Sequence, residues 1–238
     1  MTEKLYAERF LAFDENYRRI LEQIGEAAVK SGRRPEDITL LAATKTVPIE
    51  VINHALEQGL SCIGENRVQE FLDKYEPLNK ERCDCQFIGR LQTNKVKYLI
   101  GKVSCIQSVD SVRLAQEIAR QSSKAGVTTE ILVEVNIGRE ESKGGIFPEA
   151  LLPFLEEIQS LHGIHVNGLM AIPPVCVNKA ELREYFSSMA QYYVDIKAKK
   201  LDNVSMNCLS MGMSSDFADA IECGATMVRV GSSLFGAR

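Results

Sequence analysis

Two basic side chains, each placed at the end of an apolar run, hold most of the chemistry this chain can do. The first is Lys45, near the end of the stretch ITLLAATKTVP at residues 38–48. In a strand alternate residues share a face, so Leu41, Ala43 and Lys45 point the same way. An amine carried to the mouth of an apolar interior is partly desolvated, which lowers its pKa and frees it to attack a carbonyl. Lys45 is therefore a candidate for Schiff-base formation, the alternatives being a lysine that snorkels to the rim or pairs with an acid. The second is Arg229 in the run MVRVG, where Met227, Arg229 and Gly231 share one face and Val228 and Val230 the other. A guanidinium turned inward needs an acceptor. The ring nitrogen of a bound heterocycle would serve, as would a carboxylate such as Glu65 or Glu134.

Two glycine- and serine-bearing stretches supply the donors an anion needs. In SMGMSSDFADAI, Gly212 allows a tight turn and Ser214 or Ser215 is placed to cap the helix that follows. In RVGSSLFG, Gly231 lets the backbone come close while Ser232 and Ser233 add hydroxyls. Helix capping would account for either stretch alone. A reactive amine, an anion cradle and an arginine at one opening together describe a site for pyridoxal phosphate.

These residues need a scaffold that brings strand ends together. Eight short runs rich in β-branched and small apolar residues (ITLLAATK, SCIGE, QFIG, SCIQSV, EILVEVNI, HVNGLMAI, NCLSM and MVRVG) alternate with helical patterns. Strands separated by helices pair in parallel, and eight such units close a (β/α)8 TIM barrel. The predicted fold is this α/β barrel, residues 1–238 forming one domain, with an extra amphipathic helix over residues 2–31 packed on it as an N-terminal segment 1–32. An open doubly wound sheet is the alternative, but no G-x-G-x-x-G follows the first strand. In a barrel, chemistry gathers at the strand C-termini, and phosphate is often bound after strands seven and eight.

Composition narrows the partners. The 238 residues carry a net charge of −4 and no basic run interleaved with aromatics, which argues against nucleic acid. No apolar run approaches the roughly 18 residues of a membrane span, and the first residues have no signal-peptide pattern, so a cytoplasmic protein is expected. The seven cysteines form an odd set within mostly apolar stretches, and Cys83 and Cys85 lack metal-ligand spacing. His54, His162 and His165 fall away from the expected mouth, so no metal constellation is read. A single barrel with no spare apolar stripe is compatible with a monomer.

The motifs ATKTVP, IGENRVQE, FIGRLQTNK, SVDS, VNIGREESKGG, GLMAIPP and LSMGMSSDFADAIECGATMVRVGSSLFGAR occur in order over nearly the whole chain. Together they resemble the pyridoxal phosphate homeostasis protein family. The resemblance implies a barrel related to the N-terminal domain of alanine racemase, of the type III class of pyridoxal phosphate folds, with the cofactor held as an internal aldimine on Lys45. By position it implies Asn66 beside the ring, Arg229 facing the pyridine nitrogen, Ser214, Gly231 and Ser232 on the phosphate, and Met213 contributing backbone. Members usually have histidine where this chain has Gln86 and commonly proline where it has Arg90, which leaves a histidine's proton handling without a counterpart here.

An arginine facing the pyridine nitrogen disfavours its protonation and weakens the electron sink. A racemase also needs a second base, a tyrosine in the related enzymes, whereas all seven tyrosines here fall in helical stretches. The reading is thus a non-catalytic carrier of pyridoxal phosphate, releasing it to apo-enzymes or to the free pool when an incoming amine replaces Lys45. Lys143, in the loop GREESKGG, is placed to assist or to remain a solvated loop lysine. The alternatives are a weak amino-acid racemase, a Schiff-base aldolase acting on sugar phosphates, and an interaction scaffold without cofactor.

Overall fold

The computed structural model describes residues 3–236. Its eight strands are β1 (Thr39–Ala43), β2 (Cys62–Glu65), β3 (Asp84–Phe87), β4 (Cys105–Val109), β5 (Thr129–Val135), β6 (Ile164–Ala171), β7 (Val204–Ser210) and β8 (Met227–Val230). They pair in chain order, all parallel, and β1 closes on β8 through the register Thr39↔Met227 to Ala42↔Val230. The closed barrel expected from eight alternating units is therefore the observed architecture, and the open doubly wound sheet is not.

Six α-helices cover the barrel between strands: α2 (Ile49–Glu57), α3 (Val68–Tyr75), α4 (Val112–Ala125), α5 (Leu151–Ile158), α6 (Lys179–Lys199) and α7 (Phe217–Glu222). Between β3 and β4 the helical pattern TNKVKYLIG forms a 3-10 helix over Thr93–Tyr98 and not an α-helix. Val96 within it and Leu99 at its C-cap are both fully buried and lie three apart, the spacing that three residues per turn brings to one face.

Pleating sorts the strand side chains into two layers. Ala42, Ile63, Phe87, Ile106, Val133 and Val228 join the large core between barrel and helices. Leu41, Cys62 and Met227 form a small cluster on the other face, and Cys105, Leu132 and Met170 form a second, with Cys208 touching both. The lumen is thus only partly apolar. Gln86, Gln107, Ser210 and Arg229 are also buried, at 0–6% exposure.

The N-terminal helix α1 (Glu3–Lys30) buries Phe13, Ile20, Ile24, Ala27 and Ala28, a stripe of helical period. It lies against α2, α7 and the short α8 (Ser232–Phe235). Phe13 stacks on Phe235 with ring centroids 5.5 Å apart, and Asn16 Nδ2 donates to Leu234 O at 3.2 Å. The helix therefore braces the turn after β8 from outside.

Close strand contact places one glycine under strict constraint. Gly168 in β6 has φ +154°, and a Cβ there would lie 1.8 Å from Cys208 O on β7. Gly168→Ala is expected to destabilise the fold by at least about 3 kcal/mol in urea unfolding. Gly101→Ala, at φ +75° with open space around it, is expected to cost about 1 kcal/mol. Equal losses would mean that backbone conformation, not the β6–β7 contact, governs both sites.

Candidate functional site

The residues expected to act together occupy one continuous arc of strand ends. Lys45 lies two residues past β1, and Asn66 directly follows β2. Met213 and Ser214 follow β7, Arg229 is in β8, and Gly231 and Ser232 follow it. In the closed order β7, β8, β1 and β2 are neighbours, so the arc spans adjacent strands on the C-terminal side of the barrel.

Lys45 is half-buried, and among the described residues its amine has no ion-pair partner. The residues flanking it are fixed from the helix side. Thr44 is fully buried; its N–H donates to Gly64 O at 3.0 Å and its hydroxyl to Glu65 Oε1 at 2.6 Å. Lys74 on α3 donates both to Thr44 O and to Glu65 Oε1, each at 2.8 Å. On the other side of Lys45, Thr46 has φ +59°, a left-handed conformation costly for a β-branched residue. Its N–H points to Glu70 Oε2 at 3.4 Å, and Glu70 is in turn held by Arg67 at 3.1 Å. The sequence does not reveal this clamp. Glu65 was a candidate partner for Arg229, but Gly64 takes the inward position, against Leu41, and turns Glu65 to the helix layer.

Arg229 does project inward, as alternation requires. Its Nη1 donates to Ser210 Oγ at 2.6 Å and its Nη2 to Ala171 O at 2.9 Å. Burial lowers its pKa to about 10, with Glu134 opposing that shift, so the group stays charged at neutral pH. Glu134 is pushed up to about 7, by burial first and then by Asp110, while Arg229 and Arg90 pull it down. Of the two acids weighed as partners for Arg229, only Glu134 acts on it, through space.

The anion cradle is built by backbone. Ser214 Oγ accepts N–H bonds from Gly231 at 3.2 Å and Ser233 at 3.3 Å, and Ser233 Oγ donates to Ser214 O at 3.2 Å. The Ser214 oxygen thus stands where an anion's oxygen would accept the same two N–H groups. Ser232 is exposed beside them. Gly231 lies so near β1 that a Cβ on it would meet Ala43 Cβ at 3.4 Å. Neither Ser214 nor Ser215 caps the next helix; Asp216 holds that position. Asp216 Oδ1 also takes the Met213 N–H at 2.6 Å, so the backbone contact expected of Met213 is already committed within the turn.

Two further observations bear on whether a planar phosphorylated aldehyde suits this arc. Asn66 Oδ1 is buried and has no hydrogen-bond partner, leaving an acceptor at the end of β2 for an incoming donor. Gly89 fits its backbone so tightly that a Cβ would lie 2.1 Å from Asn66 O, which fixes where Asn66 stands. Residues present and chemistry required therefore agree. Lys143 sits elsewhere, its amine paired with Glu140 at 2.5 Å. Among the described residues no cluster of three or more His, Cys, Asp or Glu is arranged to hold a metal, and no helix is long and apolar enough to cross a membrane.

Two outcomes follow from these contacts. Glu65 Oε2 is already buried without a partner, so Lys74→Met strands a buried carboxylate; a loss of about 3 kcal/mol is expected in urea unfolding, and Lys74→Arg is expected to recover much of it. Glu134 has a folded pKa near 7 against an ordinary 4.5, so the folded state holds the extra proton between those values. Its contribution to stability therefore falls as pH rises from about 4.5 to 7 and stays low above. The melting temperature of Glu134→Gln relative to the unaltered protein is expected to rise across that window, and a flat difference would show that Glu134 titrates normally.

Comparison with known proteins places the chain. Residues 12–238 match the model of the alanine racemase N-terminal domain. A pyridoxal phosphate homeostasis protein of Aquifex aeolicus is 47% identical over 224 residues, covering 94% of this chain and 97% of that one. The crystal structure of an unknown protein from Bifidobacterium adolescentis superposes with a TM-score of 0.92 at 34% identity, covering 96% of each chain. PipY of Synechococcus elongatus, solved with pyridoxal phosphate bound, superposes with a TM-score of 0.78 at 30% identity, covering 90% of this chain and 100% of that one. With its barrel, its strand-end lysine and its β7–β8 cradle, the chain belongs to the alanine racemase N-terminal domain family and, within it, to the pyridoxal phosphate homeostasis proteins.

Proposed function

We propose that the chain binds pyridoxal phosphate reversibly and serves its homeostasis as a carrier, residues 1–238 acting as one cofactor-binding unit. The observation that carries this reading is the Ser214 oxygen seated on the Gly231 and Ser233 N–H groups, just past β8, the strand paired with the β1 that Lys45 follows. A phosphate displacing that hydroxyl would find the two donors already aimed. Gly231, Ser232 and Ser214 would hold it, and Met213 would join once Asp216 releases its N–H. Arg229 would face the ring nitrogen and Asn66 would stand beside the ring.

When bound, the cofactor supplies an aldehyde that condenses with a primary amine. Lys45 is the amine this arc offers, and its fixed neighbours Thr44 and Thr46 limit where it can reach. Release to a recipient needs only a second amine at an accessible opening. The recipients proposed are apo-enzymes that use the same cofactor, met in the cytoplasm by a monomeric carrier.

The carrier reading is favoured over weak amino-acid racemisation by the placement of the tyrosines. Tyr6, Tyr17, Tyr75, Tyr98, Tyr185, Tyr192 and Tyr193 all lie in helices, and Tyr193 spends its hydroxyl on Met206 O. None stands at a strand end to act as the second base. A racemase would exchange substrate α-hydrogen with deuterated solvent; the carrier is expected to show no exchange above background.

The deciding experiment is borohydride reduction of the protein loaded with pyridoxal phosphate, followed by peptide mapping. The pyridoxyl group is expected on Lys45 and absent from Lys45→Ala. Its recovery mainly on Lys143 would overturn the assignment.

A further inference from the structure

Arg229 is the upper end of a hydrogen-bonded chain that runs the depth of the barrel. Its Nη1 donates to Ser210 Oγ at 2.6 Å, Ser210 donates to Gln107 Oε1 at 2.7 Å, and Gln107 Nε2 donates to Gln86 Oε1 at 2.6 Å. Gln86 Nε2 then donates to Asp84 Oδ2 at 2.7 Å. The three inner links are 0–6% exposed, whereas Asp84 opens β3 at the opposite end of the barrel and is exposed.

The direction of every link is dictated by the two ends. A guanidinium only donates and a carboxylate only accepts, so Ser210 must pass its own hydrogen onward and each glutamine must face its oxygen toward Arg229 and its nitrogen toward Asp84. Five groups thus align head to tail from a buried cation to a solvated anion, the arrangement in which each bond strengthens the next. Neutral amides carry no net proton along such a line. They carry polarisation and geometry.

We propose that Asp84 is the charged terminal acceptor of the chain that begins at Arg229, and that Ser210, Gln107 and Gln86 are positioning residues that draw one edge of the guanidinium down into the lumen. Nη2 is held by Ala171 O at the end of β6, and the N–H groups that remain are those left for a ligand. The functional consequence rests on the reading that Arg229 faces the cofactor ring. Fixed from below, the guanidinium meets the ring in one orientation.

The test uses Asp84→Asn, which keeps an acceptor oxygen but removes the charge at an exposed position, and Gln86→Leu, which cuts the chain. Asp202→Asn, an exposed acid in the turn before β7, controls for net charge. Exchange of the Arg229 guanidinium protons with water, followed by NMR on arginine-labelled protein without cofactor, is expected to accelerate about tenfold in Gln86→Leu and less in Asp84→Asn. The half-saturating concentration of pyridoxal phosphate, read from its absorption band, is expected to rise about three- to tenfold in both. Values for both variants within twofold of Asp202→Asn in both readouts would overturn the proposal. Because Asp84 is exposed and asparagine keeps an acceptor oxygen for Gln86, Ser104 or Cys62, failure of Gln86→Leu to fold leaves Asp84→Asn decisive. A guanidinium response in protein that binds no pyridoxal phosphate would support the chain while overturning the functional reading.

Discussion

A guanidinium inside a barrel is the constraint around which the rest of the lumen is organised. Moving a charge out of water costs far more than any one neutral hydrogen bond returns, so the cation survives only with acceptors on several sides. Arg229 has Ser210 and Ala171 O in direct contact and Glu134 acting through space. Satisfying Ser210 requires Gln107, and Gln107 requires Gln86. One buried charge therefore converts a lumen that branched aliphatic side chains could fill into one that is partly polar. The apolar remainder is reduced to two small clusters, around Leu41 and around Leu132.

The helix-facing layer carries a second buried charge pair with a different task. Lys74 and Glu65 meet between β2 and α3, where an ion pair is weak evidence for stability because desolvation offsets the attraction. What the pair does hold is Thr44, by its carbonyl and by its hydroxyl. Thr46, one residue beyond Lys45, is kept left-handed despite its branched side chain. A reactive amine on an otherwise free turn would sample many directions; here the residues before and after it are tied to different groups on β2 and α3. Lys45 is thus constrained from outside the barrel and Arg229 from inside it. The two meet at neighbouring strands.

Much of this was legible in the sequence because the period of a strand is two. The rule that sends Ala43 inward places Arg229 in the lumen, and eight strand–helix alternations leave closure as the economical topology. The same rule sends Glu65 outward, since Gly64 takes the lumen position, yet which helix residue would meet it could not be read: that depends on the phase of α3 relative to β2, set by packing. The serines of SMGMSS gave the location of the cradle but not its wiring. A capping role was open to Ser214 and Ser215, but the helix starts after Asp216, whose carboxylate turns back to the Met213 N–H instead of capping. Gln107 could have been found as an amide interrupting the apolar run SCIQSV on the face of Cys105. The 3-10 helix at Thr93–Tyr98 was disguised by a pattern short enough to suit either period.

The distribution of charge around the mouth says what the arrangement is suited to do. Lys45, Arg229 and the N–H donors of Gly231 and Ser233 lie on the arc from β7 through β2, whereas Asp110 and Glu134 lie at β4 and β5, with Arg90 acting on Glu134 from the end of β3. In a closed eight-strand order β5 is as far from β1 as the ring allows. An acid there, at a pKa near neutrality, sits opposite the amine rather than beside it, and no tyrosine stands at a strand end to complete a two-base pair. Racemisation of a bound amino acid needs groups converging on both faces of one carbon. Reversible capture needs tight hold of an anionic tail, one oriented amine and an opening through which a competing amine can enter. The arc offers backbone N–H donors and a clamped amine suited to the first two. The proposed carrier role therefore rests on the strand ends from β7 to β2, which the closed order makes neighbours.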